Sequence, residues 1–221
     1  MLLCEEMFLL ETLPSGKQIG SATGSGKALG VKVAVIADLV MSGRVRLGDK
    51  KRPRLELTDT APTGHVVLDE ALRTLAAKNG RPLQAIFAWG GFRPRESVAA
   101  SLAQAGVIDI RKGGIFGMTT SYPTVDPEPR RQLLARLGTV LRGEAQPSQA
   151  DCTLLALVKA LGYSKKVFPQ EYAGMGKKAF NRRVDELAGD DRLGREVKQY
   201  IQEMVSVAVI AGVAVAGSSS S

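Results

Sequence analysis

The chain has 221 residues, 44% of them hydrophobic, enough to bury one sizeable core without requiring a second domain. Thirty Lys and Arg against 22 Asp and Glu leave a net charge of +8, which favours anionic partners such as nucleic acid, phospholipid or acidic protein. Two cysteines, Cys4 and Cys152, are too few for a disulfide framework, and the single His65 removes most metal sites and any Cys/His dyad that needs a spare histidine. The expectation is a cytosolic protein with no metal and no cofactor.

The N-terminal run MLLCEEMFLL places Glu5 and Glu6 inside its apolar stretch and lacks a basic leader, so it reads as a short core helix over residues 2–10 and not as a signal peptide. Residues 13–17, LPSGK, form a turn before Ile19 and mark a candidate first hairpin. Thr23-Gly24-Ser25-Gly26-Lys27 resembles a phosphate-cradling loop, but Ser21 stands where the leading glycine is required and Ala28 where the magnesium-binding hydroxyl is required. A flexible loop is the reading. Leu29, Val33, Ile36, Ala37 and Val40 follow helical spacing to Met41, and Ser42-Gly43 ends this central core helix. Lys32 falls off its apolar stripe, so its ammonium faces solvent or a bound anion. RVRLGDKKRPR, residues 44–54, predicts a second hairpin with a charged tip, carrying Arg44, Arg46, Lys50, Lys51, Arg52 and Arg54. Residues 59–64 make a turn, and Val67, Leu68, Ala71, Leu72 and Leu75 define an amphipathic helix with His65 at its start as a capping or surface residue.

Gly80-Arg81-Pro82 breaks the chain, and Leu83, Ile86, Phe87 and Trp89 make a short apolar helix ended by Gly90-Gly91, with Trp89 in the core. Residues 92–123 then join a doubled arginine, Arg93 and Arg95, to a helix and a hairpin. Val98, Leu102 and Ala105 share the helix face, Gly106 suits a left-handed C-terminal position, Lys112-Gly113-Gly114 forms the turn, and Ile115, Phe116 and Met118 return. Such a unit holds guanidinium groups at a rigid helix start and projects a basic-tipped hairpin towards something anionic. Asp126-Pro127-Glu128 starts a further helix, with Asp126 at the N-cap, that runs to Arg142. Ser148 with Asp151 resembles a capping box before Leu154, Leu155, Val158 and Leu161. Helices are expected over about residues 169–188 and 193–216, and the apolar tail 204–216 is about thirteen residues long, below the ~18 of a membrane span. The predicted fold is mainly α: a compact single-domain helical bundle with several surface β-hairpins, spanning residues 1–217, with 218–221 a disordered tail.

No motif assembles converging acid–base or nucleophilic groups. Asp69-Glu70 and Asp190-Asp191 are adjacent in sequence, so their side chains diverge on a helix, and no nucleophile elbow surrounds any Ser or Cys. The chain is expected to bind and not to catalyse.

Several motifs together resemble the Golgi phosphoprotein 3 family, in its bacterial, actinobacterial form. They are Leu3-Cys4-Glu5-Glu6 with Phe8-Leu9-Leu10, the run ADLVMSGRV from Ala37 to Val45, Ala61-Pro62-Thr63-Gly64 with Leu68-Asp69-Glu70-Ala71-Leu72, Gly117-Met118-Thr119-Thr120, and Leu154-Leu155-Ala156-Leu157. They run in the family's order over nearly the whole chain. The resemblance implies a peripheral membrane protein, on the cytoplasmic face, that binds the headgroup of phosphatidylinositol 4-phosphate. It places the family's core-helix arginine on Lys32 and its paired arginines on Arg93 and Arg95, while the family's pocket tryptophan falls at about Thr23. It also implies that the hairpin of residues 107–118, with Arg111, Lys112, Ile115 and Phe116, contacts membrane or a second copy of the chain. The tail through which eukaryotic relatives engage coat proteins has no counterpart. Two other readings remain at this point: a nucleic-acid-binding winged helix, which the Ala- and Ser-rich residues 97–104 disfavour, and an oligomerising interaction protein without lipid specificity.

Overall fold

The structure, a computed structural model, describes residues 1–19, 29–48, 53–113 and 119–189. It is mainly helical. Among the described residues there are nine helices and two small two-stranded antiparallel sheets. They fall into two compact units, the first from Met1 to Pro127 and the second beginning at Glu128.

The first unit is built on α1 (Leu3–Glu11) and α2 (Leu29–Met41), which pack against each other. Every residue of α1 is buried, and so is α2 from Leu29 to Leu39 with the exception of Lys32. A helix as apolar as α2 belongs inside a core, whereas α1 is enclosed together with Glu5, Glu6 and Glu11. Asp38 of α2 fixes their relative placement: its Oδ1 accepts from Leu3 N at 3.0 Å and its Oδ2 from Cys4 N at 2.9 Å, satisfying two of the orphan amides at the start of α1. Burial pushes the Asp38 carboxyl above its ordinary range, and the amide bonds from Cys4 and Leu3 offset part of that. The turn after α1 closes with Ile19 N donating to Glu11 O at 2.8 Å. Gly16, at φ 79°, is required there, because a side chain would collide with the backbone of Tyr122 and Pro123.

β1 (Val45–Gly48) and β2 (Arg54–Leu57) form the expected second hairpin in the register Val45↔Leu57 and Gly48↔Arg54. Its other edge is closed by residues 80–83, where Gly80 N donates to Leu55 O at 2.7 Å and Leu83 N to Pro53 O at 2.8 Å. α3 (Val66–Ala76) begins at His65, whose Nδ1 accepts from Val67 N at 3.4 Å, so the histidine is an N-cap. Asp69 is more than a surface charge: its Oδ1 accepts from both the amide and the hydroxyl of Thr63 at 2.6 Å, which ties the preceding turn to the helix. α4 (Leu83–Ala88) is short, and α5 (Pro94–Gln104) starts with proline at its first position and ends before Gly106, which has φ 73°. Val98 and Leu102 are buried as expected, whereas Ala105 caps the helix and is exposed.

The hairpin that follows α5 departs from the predicted register. Its strands are β3 (Arg111–Gly113) and β4 (Thr119–Ser121), so Lys112 and Gly113 lie in a strand instead of a turn, while Gly114 and the predicted return through Ile115, Phe116 and Met118 lie outside the described residues. The register is set at the base, where Ile108 bridges Thr124 and Asp109 N donates to Pro123 O. Tyr122 anchors it to the core through an edge-on contact with Phe8, with centroids 5.1 Å apart, and an amide bond to Gly16 O.

The second unit contains α6 (Glu128–Arg142), α7 (Gln149–Ala160), α8 (Ser164–Val167) and α9 (Pro169–Ala188). α6 begins at Glu128, directly after Asp126-Pro127. The Ser148–Asp151 capping box is present, with Asp151 N to Ser148 Oγ at 3.1 Å and Ser148 N to Asp151 Oδ2 at 2.9 Å. α9 bends at Gly176, which takes φ 74° and ψ 157° inside the helix. The predicted helix over 193–216 lies outside the described residues.

Candidate functional site

Lys32 interrupts the buried run of α2 where helical spacing put it off the apolar stripe. Its Nζ donates to Phe87 O at 3.0 Å and to Trp89 O at 3.4 Å, carbonyls at the C-terminal end of α4 that have no partner inside that helix. Arg93 is the N-cap residue of α5, exposed, and its Nε donates to Gly90 O at 2.6 Å. Two cations are therefore held by the carbonyls of one turn, residues 87–90. Burial lowers the pKa of Lys32, and the charge of Arg93 lowers it further, so the two are near enough to repel. Among the described residues neither forms an ion pair with a carboxylate.

Arg95, two residues on, is oriented differently. Its Nη2 donates to Glu11 Oε2 at 2.8 Å, and the pair is nearly enclosed, the side chains being 13% and 1% exposed. The guanidinium also lies 5.7 Å from the centroid of the Phe8 ring. Burial pushes the Glu11 carboxyl up to about 7, with Arg95 and the Gly30 amide offsetting part of that cost. Gly30 has to be glycine, since a Cβ there would collide with Glu11 Oε1. The structure thus brings Lys32 and Arg93 together at one surface turn and engages Arg95 with Glu11 beneath it.

Trp89, expected in the core, is half-buried at the C-cap of α4. Its indole packs on Gly91, where a Cβ would overlap the ring, and Lys78 Nζ stands 4.7 Å from the ring centroid. Nothing local in the sequence connects Lys78 to Trp89. The one available signal for an exposed tryptophan was the Gly90-Gly91 pair beside it, which supplies no bulk to cover the ring.

The remaining cations are more dispersed. Arg44 pairs with Asp59 and donates to Pro62 O at 3.3 Å, Arg46 pairs with Glu56 at 2.6 Å, and Arg54 donates to Gly80 O at 2.8 Å, so these hairpin charges are bonded within the fold. Arg111 pairs with Asp109 at 2.9 Å, and Lys112 is exposed. Thr23, Lys50, Lys51, Arg52, Ile115 and Phe116 lie outside the described residues.

One constellation has the composition of a hydrolytic triad but not its order. Ser101 Oγ donates to Glu5 Oε1 at 2.7 Å, and His65 Nε2 lies 3.5 Å from the same oxygen. With Nδ1 taken by Val67 N, the histidine has no nitrogen to offer Ser101 as a base. Among the described residues no cluster of three or more His, Cys, Asp or Glu side chains is arranged to hold a metal ion, and no helix is long and apolar enough to cross a membrane.

These features define a mainly helical protein with two small hairpins and a surface cation pair seated on backbone carbonyls. Residues 3–204 match the family described as Golgi phosphoprotein 3 (GPP34), and the chain belongs to that family. Comparison with curated proteins finds no match.

Proposed function

We propose that this protein binds anionic phospholipid headgroups as a peripheral protein on the cytoplasmic face of a membrane, with phosphatidylinositol 4-phosphate or a related phosphoinositide as its preferred lipid. The observation that carries the reading is the Lys32–Arg93 pair. Two cations, one partly desolvated, are anchored side by side on the 87–90 carbonyls with no carboxylate partner among the described residues. An interposed phosphate monoester relieves their repulsion and accepts charge-assisted hydrogen bonds from the third Lys32 N–H and the free Nη groups of Arg93. Family membership supports the same ligand class. Arg95 is engaged by Glu11, which answers its charge. The role is binding and not catalysis.

The test is sedimentation with vesicles that are neutral, contain phosphatidylserine, or contain a few per cent phosphatidylinositol 4-phosphate. Binding should rise with anionic lipid and most with the phosphoinositide. Lys32→Met and Arg93→Met should each weaken it by about tenfold, the loss of one charge-assisted contact. Equal retention on all three vesicle types, or unchanged binding by both variants, would overturn the reading.

A further inference from the structure

We infer that the turn from Trp89 to Arg93 enters the headgroup layer of an anionic membrane, with Trp89 as its interfacial anchor and Lys78 as an additional lipid-facing cation. The inference rests on the lipid-binding reading above and adds a contact surface to it. Four observations converge on this turn. Trp89 is half-buried, and the residues on either side of it, Ala88 and Gly90, are exposed, so the ring stands at the surface. A Cβ at Gly90 would meet nothing within contact distance, which places the turn against open space. The indole N–H has no acceptor among the described residues, whereas a lipid interface supplies many. Charge along the sequence of the turn is one-sided: from Ala71 to Arg95 the chain has no acidic residue, and apart from Arg95, which Glu11 answers, it carries Arg73, Lys78, Arg81 and Arg93.

An amphipathic ring at the surface, with Lys78 over it and Lys32 and Arg93 held on the neighbouring backbone carbonyls, suits the boundary between acyl chains and anionic headgroups. Packing on Gly91 restrains the indole, and Lys78 over the ring adds a positive charge at the same depth. Lys32 and Arg93 flank the backbone of this turn, so a phosphate bound between them fixes the ring's distance from the membrane.

The chain contains one tryptophan, so its emission reports on this turn alone. The wild-type protein is titrated with vesicles of phosphatidylcholine and phosphatidylserine, with and without a few per cent phosphatidylinositol 4-phosphate, half of them carrying brominated acyl chains. A blue shift on anionic vesicles together with quenching by the brominated lipid supports the inference. Sedimentation with vesicles while the emission is unchanged overturns it and leaves the headgroup reading standing. No association with any anionic vesicle overturns both. A shift produced equally by soluble glycerophosphoinositol 4-phosphate, with no quenching from the brominated chains, overturns the membrane contact alone. Lys78→Met and Trp89→Leu should each weaken vesicle binding severalfold, and Trp89→Leu should leave affinity for the soluble headgroup within about twofold. Equal loss for the soluble headgroup would make Trp89 a positioning residue instead.

Discussion

At the scale of single residues, the molecule's electrostatics depend on how each buried charge is answered. Glu11 has a folded pKa of about 7 against an ordinary 4.5, so between those values the folded state holds a proton that the unfolded chain has lost. Its contribution is therefore largest at the acid end and declines as pH rises to about 7. Thermal melts across that window should show stability falling with pH, and Glu11→Gln should flatten the slope. A slope unchanged in the variant would assign it to other groups. Arg95→Met leaves the enclosed carboxylate without its partner, and urea unfolding above neutral pH should then show a loss of about 3–5 kcal/mol, the usual result of breaking a buried pair from one side. Lys32 behaves in the opposite sense. Burial and Arg93 lower its pKa, and the negative charge of a bound phosphate would favour the ammonium and raise it, so anion affinity should strengthen as pH falls through the Lys32 titration. Periodicity was enough to single out Lys32 as the residue off the apolar stripe. The burial of Arg95 was not legible, because Glu11 lies 84 positions away and has no periodic relation to it.

At the scale of elements, local chemistry was readable and tertiary chemistry was not. The Ser148–Asp151 box and the glycine ends of α2 and α5 are encoded within a few residues, and each is present in the fold. The cap on α1 came from Asp38, some 35 positions downstream, and was invisible. Asp38→Ala should therefore cost about 1–3 kcal/mol, since it orphans two buried amides, while Ser148→Ala should cost about 1 kcal/mol as an ordinary cap deletion. Chemical denaturation of both variants checks that ranking, and a larger effect at Ser148 would contradict it. The hairpin around residues 111–121 was misplaced for a related reason. Glycines at 113 and 114 look like a turn locally, but the register is imposed by Ile108, Thr124 and the docking of Tyr122 on Phe8. The bend at Gly176 has no sequence signal beyond the glycine itself.

At the scale of the whole molecule, a net charge of +8 pointed to an anionic partner without saying where it would bind. Much of the sequence's most conspicuous basic run turns out to be answered locally: Arg44 and Arg46 pair with Asp59 and Glu56, and Arg54 bonds a carbonyl. The less conspicuous pair, Lys32 and Arg93, is held together with no carboxylate partner among the described residues, because the end of α4 brings residues 61 positions apart onto one set of carbonyls. Salt should discriminate between these sources of charge. Binding through a defined cation pair should survive moderate ionic strength better than attraction by a diffuse basic surface, measured as vesicle retention against added NaCl. The most direct measurement is the titration of the Lys32 side-chain amine by NMR, with and without glycerophosphoinositol 4-phosphate. The ligand is expected to raise the Lys32 pKa, and Arg93→Met to remove most of that response. A Lys32 titration indifferent to the ligand, with responses confined to lysines elsewhere, would contradict it.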